Sequence, residues 1–561
     1  MVTVRVRPMG ERALLLETDS IDDVLALHGR LAASRPEGVV ELVPAARTVL
    51  VVVDPARLTP AAARAWALGA DAGAAGPPRG EGSAVDLEVV YDGADLSETA
   101  ELLGMTADEL VRRHASAEWS VAFTGFAPGF GYLVSDAWPF DVPRRATPRT
   151  RVPAGAVGLA ARFTGAYPRE SPGGWQLIGT TSALLWRTAA EGAASPALLA
   201  PGTRVRFRPV TAAPVAAAAV SVPAPAPAST TSTVPAPVPV PASTARLQTQ
   251  VETAGEPHGL GAPLQSRGHG QRGVRVEATG MLATVQDLGR AGNAALGVAR
   301  SGAADRGALR TANRLVGNDE GAAAIEITMG GFRAVAEVDA WIAVAGAWGS
   351  LTLDGRPIDP YTAQAWSAGS ELQVDVFAHG TRAYLAVRGG CEPAAVLGSR
   401  STDIRAGLGP RRLAAGDVIP IGPAPARPIP IADIAPWGAP QDDELEIDLA
   451  PGPRADWFAA SALDVLFAAV WTVSPAADRV GIRLEGPELV RARRDELPSE
   501  GMVPGALQVP PDGRPVVLGV DGPVTGGYPV IAVATDAALD LLAQARPGTR
   551  LRFRHARTPI G

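Results

Sequence analysis

Every strongly basic side chain available to this protein is a guanidinium: all 51 Lys+Arg positions are arginine, and lysine is absent. That removes whole mechanisms, because a phosphate-binding P-loop, a Schiff-base enzyme and a biotin carrier each need a lysine amine. What remains for chemistry is guanidinium, carboxylate, imidazole and backbone amide. In the run ATPRTRVPAG, followed by SPGGW, Arg145, Arg149 and Arg151 stand close to the glycine turn of Gly173 and Gly174. Planar guanidinium forks beside exposed turn N–H groups can hold a phosphate or carboxylate, although the same spacing also suits solvated arginines on a strand edge.

The segment HASAEWSVAFTGFAPGFGYL, residues 114–133, alternates glycine and proline with aromatics. Gly125, Gly129 and Gly131 let the backbone turn tightly or approach a ligand, while Phe126, Phe130 and Tyr132 can wall an apolar pocket. The alternative is a tight β-turn whose aromatics sit in a core. His114 closes a helix, MTADELVRRH, with Thr106 as N-cap and Glu109 completing a capping box, so it is either an acid–base group or a dipole-compatible cap.

Further along, TVQDLGRAG is a turn and SGAADRGALRTANRLVGN is a capped helix, with Asp305 at the N-cap, Leu309, Ala312 and Val316 facing inward, and Gly317 as its stop. The later runs RGGCEPAAVLGSRSTD, ADRVGIRLEGPEL, SEGMVPGALQVPPDG and DGPVTGGYP add Arg400, Arg479, Glu500, Gly526 and Gly527 among other polar residues. Carboxylates among arginines suit acid–base or phosphoryl-transfer chemistry, and equally an ordinary surface.

The elements that must position these residues are mainly strands. With 62 glycines and 51 prolines in 561 residues the chain is rich in turns, and its length asks for several cores. A net charge of −7 with mixed signs excludes a nucleic-acid stripe, and the apolar runs are too short to span a membrane. The N-terminus lacks the layout of a secretory signal, and one cysteine, Cys391, precludes an intrachain disulfide. A soluble, cytoplasmic protein is the expectation, with a small-molecule substrate, no nucleic acid, no membrane, no metal-ligand cluster, and homo-oligomerisation left open.

Residues 1–78 read as a small α+β domain, and 211–271 as an extended Pro/Ala-rich tether in which His258 and His269 are solvated. The blocks 83–210 and 272–558 echo each other: PGTRVRFR at 201–208 recurs as PGTRLRFR at 547–554, SPGGWQLI as VTGGYPVI, and RVPAGAV as MVPGALQV. Three matches in the same order indicate duplication of a β-barrel or sandwich lobe, with about 150 extra residues ahead of the second copy.

On these motifs the chain resembles two families at once. GFAPGFGYL, ATPRTRVPAG and SPGGW resemble the allophanate hydrolase subunit 1 family, also known as the B component of 5-oxoprolinase. TVQDLGRAG, SGAADRGALRTANRLVGN, LGSRSTD, DRVGIRLEGP and TGGYP resemble the allophanate hydrolase subunit 2 family, also known as the C component of 5-oxoprolinase. The departures are Gly131 where the first motif usually has Pro, Ala304 where the second usually has Met, and SPAADRVG for an SDRMG-like run.

The resemblance implies a fusion of the B and C components with cyclophilin-like β-barrel lobes, one in the first half and two in the second. It also implies ATP and Mg²⁺ as cofactors, no covalently attached biotin, and a separate A subunit as partner, the assembly hydrolysing 5-oxoproline to glutamate. Its alternatives are the carboxyltransferase part of a urea carboxylase or urea amidolyase, and a regulator that binds a histidine kinase. Carried over residue by residue, it marks His114, Asp305 and Arg479 as catalytic. Phe126, Gly129, Tyr132, Arg149, Arg151, Gly173, Gly174, Arg400, Glu500, Gly526 and Gly527 become the binding set, with Arg149 and Arg479 gripping an anion in one cleft shared by the two lobes.

Overall fold

A computed structural model describes residues 3–69, 84–187, 195–211, 273–431 and 438–557. The tether expected at 211–271, with His258 and His269, falls outside these residues except for residue 211. The fold is mostly β.

The first unit is a four-stranded antiparallel sheet, in the order Arg5–Pro8, Ala13–Glu17, Thr48–Val53, Val39–Pro44. Alternation explains its packing. Leu14, Leu16, Val49, Val51 and Val53 face the helices Ile21–Ala33 and Pro60–Gly69. Ala13, Leu15, Val43 and Leu50 face the opposite way and join Met502, Ala506, Leu518, Val530 and Val533 of the last barrel in a second core. The sheet is therefore buried on both faces, and the first and last units meet through it.

The second unit is a seven-stranded sheet whose outer strands, Ala84–Val89 and Gln176–Thr180, are joined by an isolated bridge between Val90 and Thr180, so the sheet nearly closes. Helix Ala107–Ser116 packs on it, its N-terminus capped by the Thr106 hydroxyl, which accepts from the Glu109 N–H at 3.2 Å. The third unit, within residues 273–431, stacks a six-stranded on a five-stranded sheet around one apolar core. The fourth is a closed seven-stranded barrel, running from Glu444–Pro451 to Arg550–His555.

The repeated octapeptides hold the same place in the second and fourth units. Arg204–Pro209 runs parallel to Ala84–Val89 and antiparallel to Trp119–Thr124. Arg550–His555 runs parallel to Glu444–Pro451 and antiparallel to Val470–Val473. Among the described residues no helix is long and apolar enough to cross a membrane.

Candidate active site

Residues 285–305 form a hub that touches every barrel unit. Asp287 staples this segment to the loop 399–403: its carboxylate accepts from Gly289 N–H, Ser399 Oγ and Arg400 N–H, each at 2.7 Å, and from Ser401 Oγ. Two glycines make the fold-back possible. Gly289 and Gly302 have φ of +84° and +87°, and a Cβ on Gly302 would stand 2.6 Å from the Gly289 nitrogen.

This staple carries Arg290 into the interior, where the residue is 1 % exposed. One of its N–H groups, on Nη2, donates to the Ser401 carbonyl, while Nε and Nη1 have no partner. Asp403, which feels both Arg290 and Arg169 of the first barrel, leaves its Oδ2 without a partner, as Arg169 leaves its Nε, and Gln286 Oε1 and Thr402 Oγ1 on the flanking residues are also unpartnered. Leaving such groups unpaired costs on the order of 1–3 kcal/mol each, so Arg290, Asp403 and Arg169 retain hydrogen-bonding capacity that suits a polar, anionic ligand. Burial pushes the Asp403 carboxyl up to about 6, and repulsion from Asp521 adds to it against the pull of Ala406 N–H, Arg290 and Arg169. Burial likewise lowers Arg290, against the attraction of Asp403, Asp287 and Asp521.

Adjoining this cluster lies a saturated network. Arg479 donates to Asp521 (Nε–Oδ2 2.7 Å, Nη2–Oδ1 3.0 Å), to Glu326 Oε1 at 2.7 Å and to the Gly302 carbonyl at 2.7 Å. Tyr384 donates to Glu326 Oε2 at 2.7 Å and accepts from Asp305 N–H at 2.9 Å. Burial raises Glu326, but Arg479, Arg382 and Tyr384 outweigh it and hold the carboxyl below its ordinary value. Arg479 thus fixes the hub to the last barrel through bonds to protein groups alone.

A buried carboxyl poised near neutrality beside guanidinium N–H groups with nothing to bind can take a proton while an adjacent carbonyl or phosphoryl oxygen is polarised. The two halves of the chain that supply this site each match a known domain family. The profile described as "Carboxyltransferase domain, subdomain C and D" matches residues 4–198, and that described as "Carboxyltransferase domain, subdomain A and B" matches 296–555. The C component of 5-oxoprolinase from Escherichia coli K12 is 38 % identical over 285 residues, 50 % of this chain and 90 % of that protein.

The chain belongs to the carboxyltransferase-domain family.

It is also 47 % identical to the B component of 5-oxoprolinase from Escherichia coli O157:H7 over 128 residues, 22 % of this chain and 57 % of that protein. The urea amidolyase of Lachancea kluyveri is 33 % identical over 305 residues, 50 % of this chain but 16 % of that protein. Among solved structures, TTHA0988 superposes with a TM-score of 0.79 at 34 % identity, covering 97 % of this chain and 99 % of that one. One carboxyltransferase-domain polypeptide thus carries a B-like unit followed by a C-like unit.

Within these A/B and C/D subdomains, the residues marked from sequence fall into three groups. Asp305 and Arg479 lie on the hub or against it. Asp305 caps helix Arg306–Leu315, accepting from Ala308 N–H at 2.8 Å and from Gln544 Nε2 at 2.7 Å, and burial together with Asp540 pushes it up to about 7. Arg400 contributes its backbone N–H to Asp287, while its side chain reaches Glu392 at 3.5 Å.

A second group holds the subdomains together. Phe126, at φ +64°, donates its N–H to Thr525 Oγ1 at 3.1 Å, and Gly129 N–H donates to the Leu296 carbonyl at 3.0 Å. The GFAPGF loop is thus a plug seated on the TGG run and the hub, and Tyr132 behind it is stacked on Phe123 inside the barrel. Gly526 pairs with Glu500 in a two-residue ladder, Gly527 lies beside it, and Glu500 binds Arg454.

The third group stays apart from the hub. Burial drives the His114 imidazole down to about 3; it lies wholly inside the first barrel, its Nδ1 2.8 Å from Tyr91 Oη and its Nε2 2.8 Å from Thr164 Oγ1. Arg149 and Arg145 share Asp95 Oδ1 at 2.6 and 2.8 Å. Arg151 is exposed and pairs with Glu170 at 2.6 Å, on the small two-stranded ladder that also contains Gly173, with Gly174 adjoining. The expected sharing of one anion cavity by Arg149 and Arg479 is therefore corrected: Asp95 engages the first, while the second lines a separate cavity of about 30 Å³ and is saturated by Asp521 and Glu326.

The sequence reading missed Arg290, Asp403, Asp287 and Arg169. A usable signal existed in SRSTD, five consecutive polar residues of which Ser399, Ser401, Thr402 and Asp403 are buried. A polar run that is not a loop surface must be satisfying something inside.

Proposed function

We propose that this chain is the combined B and C component of an ATP-dependent 5-oxoprolinase, acting in the cytoplasm with a separate A subunit. The observation that carries the reading is the unpartnered Nε and Nη1 of Arg290 and Oδ2 of Asp403 at the junction of a B-like and a C-like unit, the two components that in the relatives bear the name 5-oxoprolinase. A lactam carbonyl is a poor electrophile, and phosphorylating its oxygen makes that oxygen a leaving group. Arg290 and Arg169 would hold the oxygens that gain charge as the O–P bond forms and the bond to ADP breaks. Asp403, as carboxylate, would accept the proton released by the lactam N–H. One water then adds to the activated carbon and the C–N bond breaks, the nitrogen taking up the protons, to leave an acyl phosphate. A second water hydrolyses that to glutamate and phosphate, and both steps are assigned to the A subunit.

The unspent guanidinium N–H groups fit phosphate oxygens. Among the described residues no group of three or more His, Cys, Asp or Glu side chains could hold a metal, so Mg²⁺ would enter with the nucleotide and supply charge neutralisation there. Purified chain, a matching A subunit, ATP and 5-oxoproline should release ADP, phosphate and glutamate in step. No release with the A subunit present, or equal release without this chain, counts against the proposal.

A second reading is favoured by the family description itself: a carboxyltransferase acting on urea or a related amide, as the urea amidolyase relatives suggest. Because the chain lacks lysine, its biotin would have to arrive on another protein. Biotinylated carrier that binds the chain and supports carboxylation of urea would favour this reading over the first.

A further inference from the structure

Against the same hub lies a cavity of about 120 Å³, walled by the first sheet, the last barrel and the segment 291–306. Its floor is apolar: Met9, Ala13, Val43, Leu50, Met502 and Val533. Its rim holds Arg12, Arg300 and Arg306 with Glu11, Glu41 and Asp536. The formal charges balance, but the commitments do not. Asp536 is paired with Arg12, and both Glu41 oxygens accept backbone N–H groups, from Gly292 and from Ala294 at 3.2 Å. Glu11 is exposed.

Arg306 has neither a hydrogen bond from its guanidinium nor an ion pair among the described residues, and Arg300 uses only Nε, on the Leu288 carbonyl at 3.2 Å. Asp540, which faces them from helix Asp536–Gln544, spends both oxygens on the Arg306 and Gly307 N–H groups. Burial pushes the Arg306 guanidinium down to about 9, and Arg300, Arg12 and Arg310 add repulsion that Asp540 only partly offsets. Arg300 is lowered by burial and then by Arg12. Two crowded, partly desolvated guanidiniums over an apolar floor are a poor arrangement alone and a good one around an anion.

We propose that this cavity binds a small amphiphilic carboxylate, its short aliphatic body on the Met9, Leu50, Met502 and Val533 floor and its head between Arg300 and Arg306. The site shares no residue with the Arg290–Asp403 cluster and does not depend on the function proposed there. Its occupant would bear on that cluster through the hub, since Arg290 N–H donates to the Arg300 carbonyl at 2.8 Å. Occupancy would also clamp the first sheet to the last barrel.

The test is calorimetric titration of the full chain with hexanoate, with hexanol and inorganic phosphate as separate arms. Hexanoate should bind at one site, with hexanol and phosphate each at least tenfold weaker. R306Q should weaken hexanoate at least tenfold while leaving the melting temperature of the ligand-free protein unchanged or higher, because a crowded charge is removed. V52F, which fills the cavity from its wall and leaves all three arginines in the chain, should abolish binding. Hexanoate binding that survives both substitutions, hexanol binding as tight as hexanoate, or no hexanoate binding at millimolar concentration would overturn the proposal.

Discussion

His114 and Leu466 occupy the same place in two sister barrels. Each lies five residues before a buried tryptophan whose indole N–H donates to its carbonyl, Trp119 to His114 at 2.9 Å and Trp471 to Leu466 at 3.1 Å. Trp119 pairs with Val205 of the first repeated strand, and Trp471 with Leu551 of the second. The imidazole therefore fills a core position that the duplicate fills with an aliphatic side chain. Thr164 donates to the Gly158 carbonyl at 3.2 Å, which leaves it accepting from Nε2–H, with Nδ1 accepting from Tyr91.

H114L should leave turnover within about threefold of the parent while costing about 1–3 kcal/mol, since Tyr91 loses its acceptor. The folded value of about 3 lies below the ordinary 6.5. The stability this residue confers is thus full above about 6.5 and is lost as pH falls towards 3. The gap in unfolding free energy between parent and H114L should shrink by about 1.4 kcal/mol per pH unit below 6.5. A hundredfold loss of turnover with unchanged stability would make His114 a catalytic group after all.

The fold was legible because its signals are local and repeated. Thr106 and Asp305 announce helix starts by residue type, and both cap as their sequences suggest. The octapeptide repeat encodes one strand pairing twice. The site was less legible because its members are far apart in sequence: Asp287 with Ser401, Asp403 with Arg169, Arg479 with Glu326. Arginine beside glycine looked like an anion grip at Arg149, yet Asp95, 54 residues upstream, is already paired with it. No spacing rule reveals which arginines have a carboxylate waiting.

Asp403 should set the acid limb of activity. With its carboxyl raised to about 6, the ionised form that accepts a proton is lost below that pH, so kcat/KM should fall there. D403N should lower kcat by 10²- to 10⁴-fold and abolish that limb. The folded value of about 6 lies above the ordinary 3.8, so stability is lost as pH rises from about 3.8 to 6 and stays lost above it, and D403N should melt at the same temperature or higher at pH 8. Retention of the acid limb in D403N would assign it to another group.

Arg290 should show opposite effects on stability and function. Its buried charge keeps two nitrogens without partners, a cost that methionine of similar length does not carry. R290M should therefore melt no lower than the parent while losing 10²- to 10³-fold in turnover, the scale of removing one preorganised donor. Equal loss of stability and activity would mean that Arg290 is a strut.

Glu500 should be such a strut. Arg454, 3 % exposed, donates to both Glu500 oxygens, with Nε–Oε2 at 3.1 Å, and to Glu17 Oε1 at 3.0 Å, and Glu17 in turn accepts from Arg7 at 2.7 Å. This chain of charges joins the first sheet to the last barrel. Burial raises Glu500 more than Arg454 lowers it, so a carboxylate left alone there is strongly disfavoured. R454M should cost about 3–5 kcal/mol by denaturant unfolding, and R454M/E500L should recover most of it, because the penalty lies in the orphaned charge rather than in the lost bridge. E500Q should change the unfolding midpoint and leave KM unaltered. A rise in KM without a change in stability would return Glu500 to the substrate site.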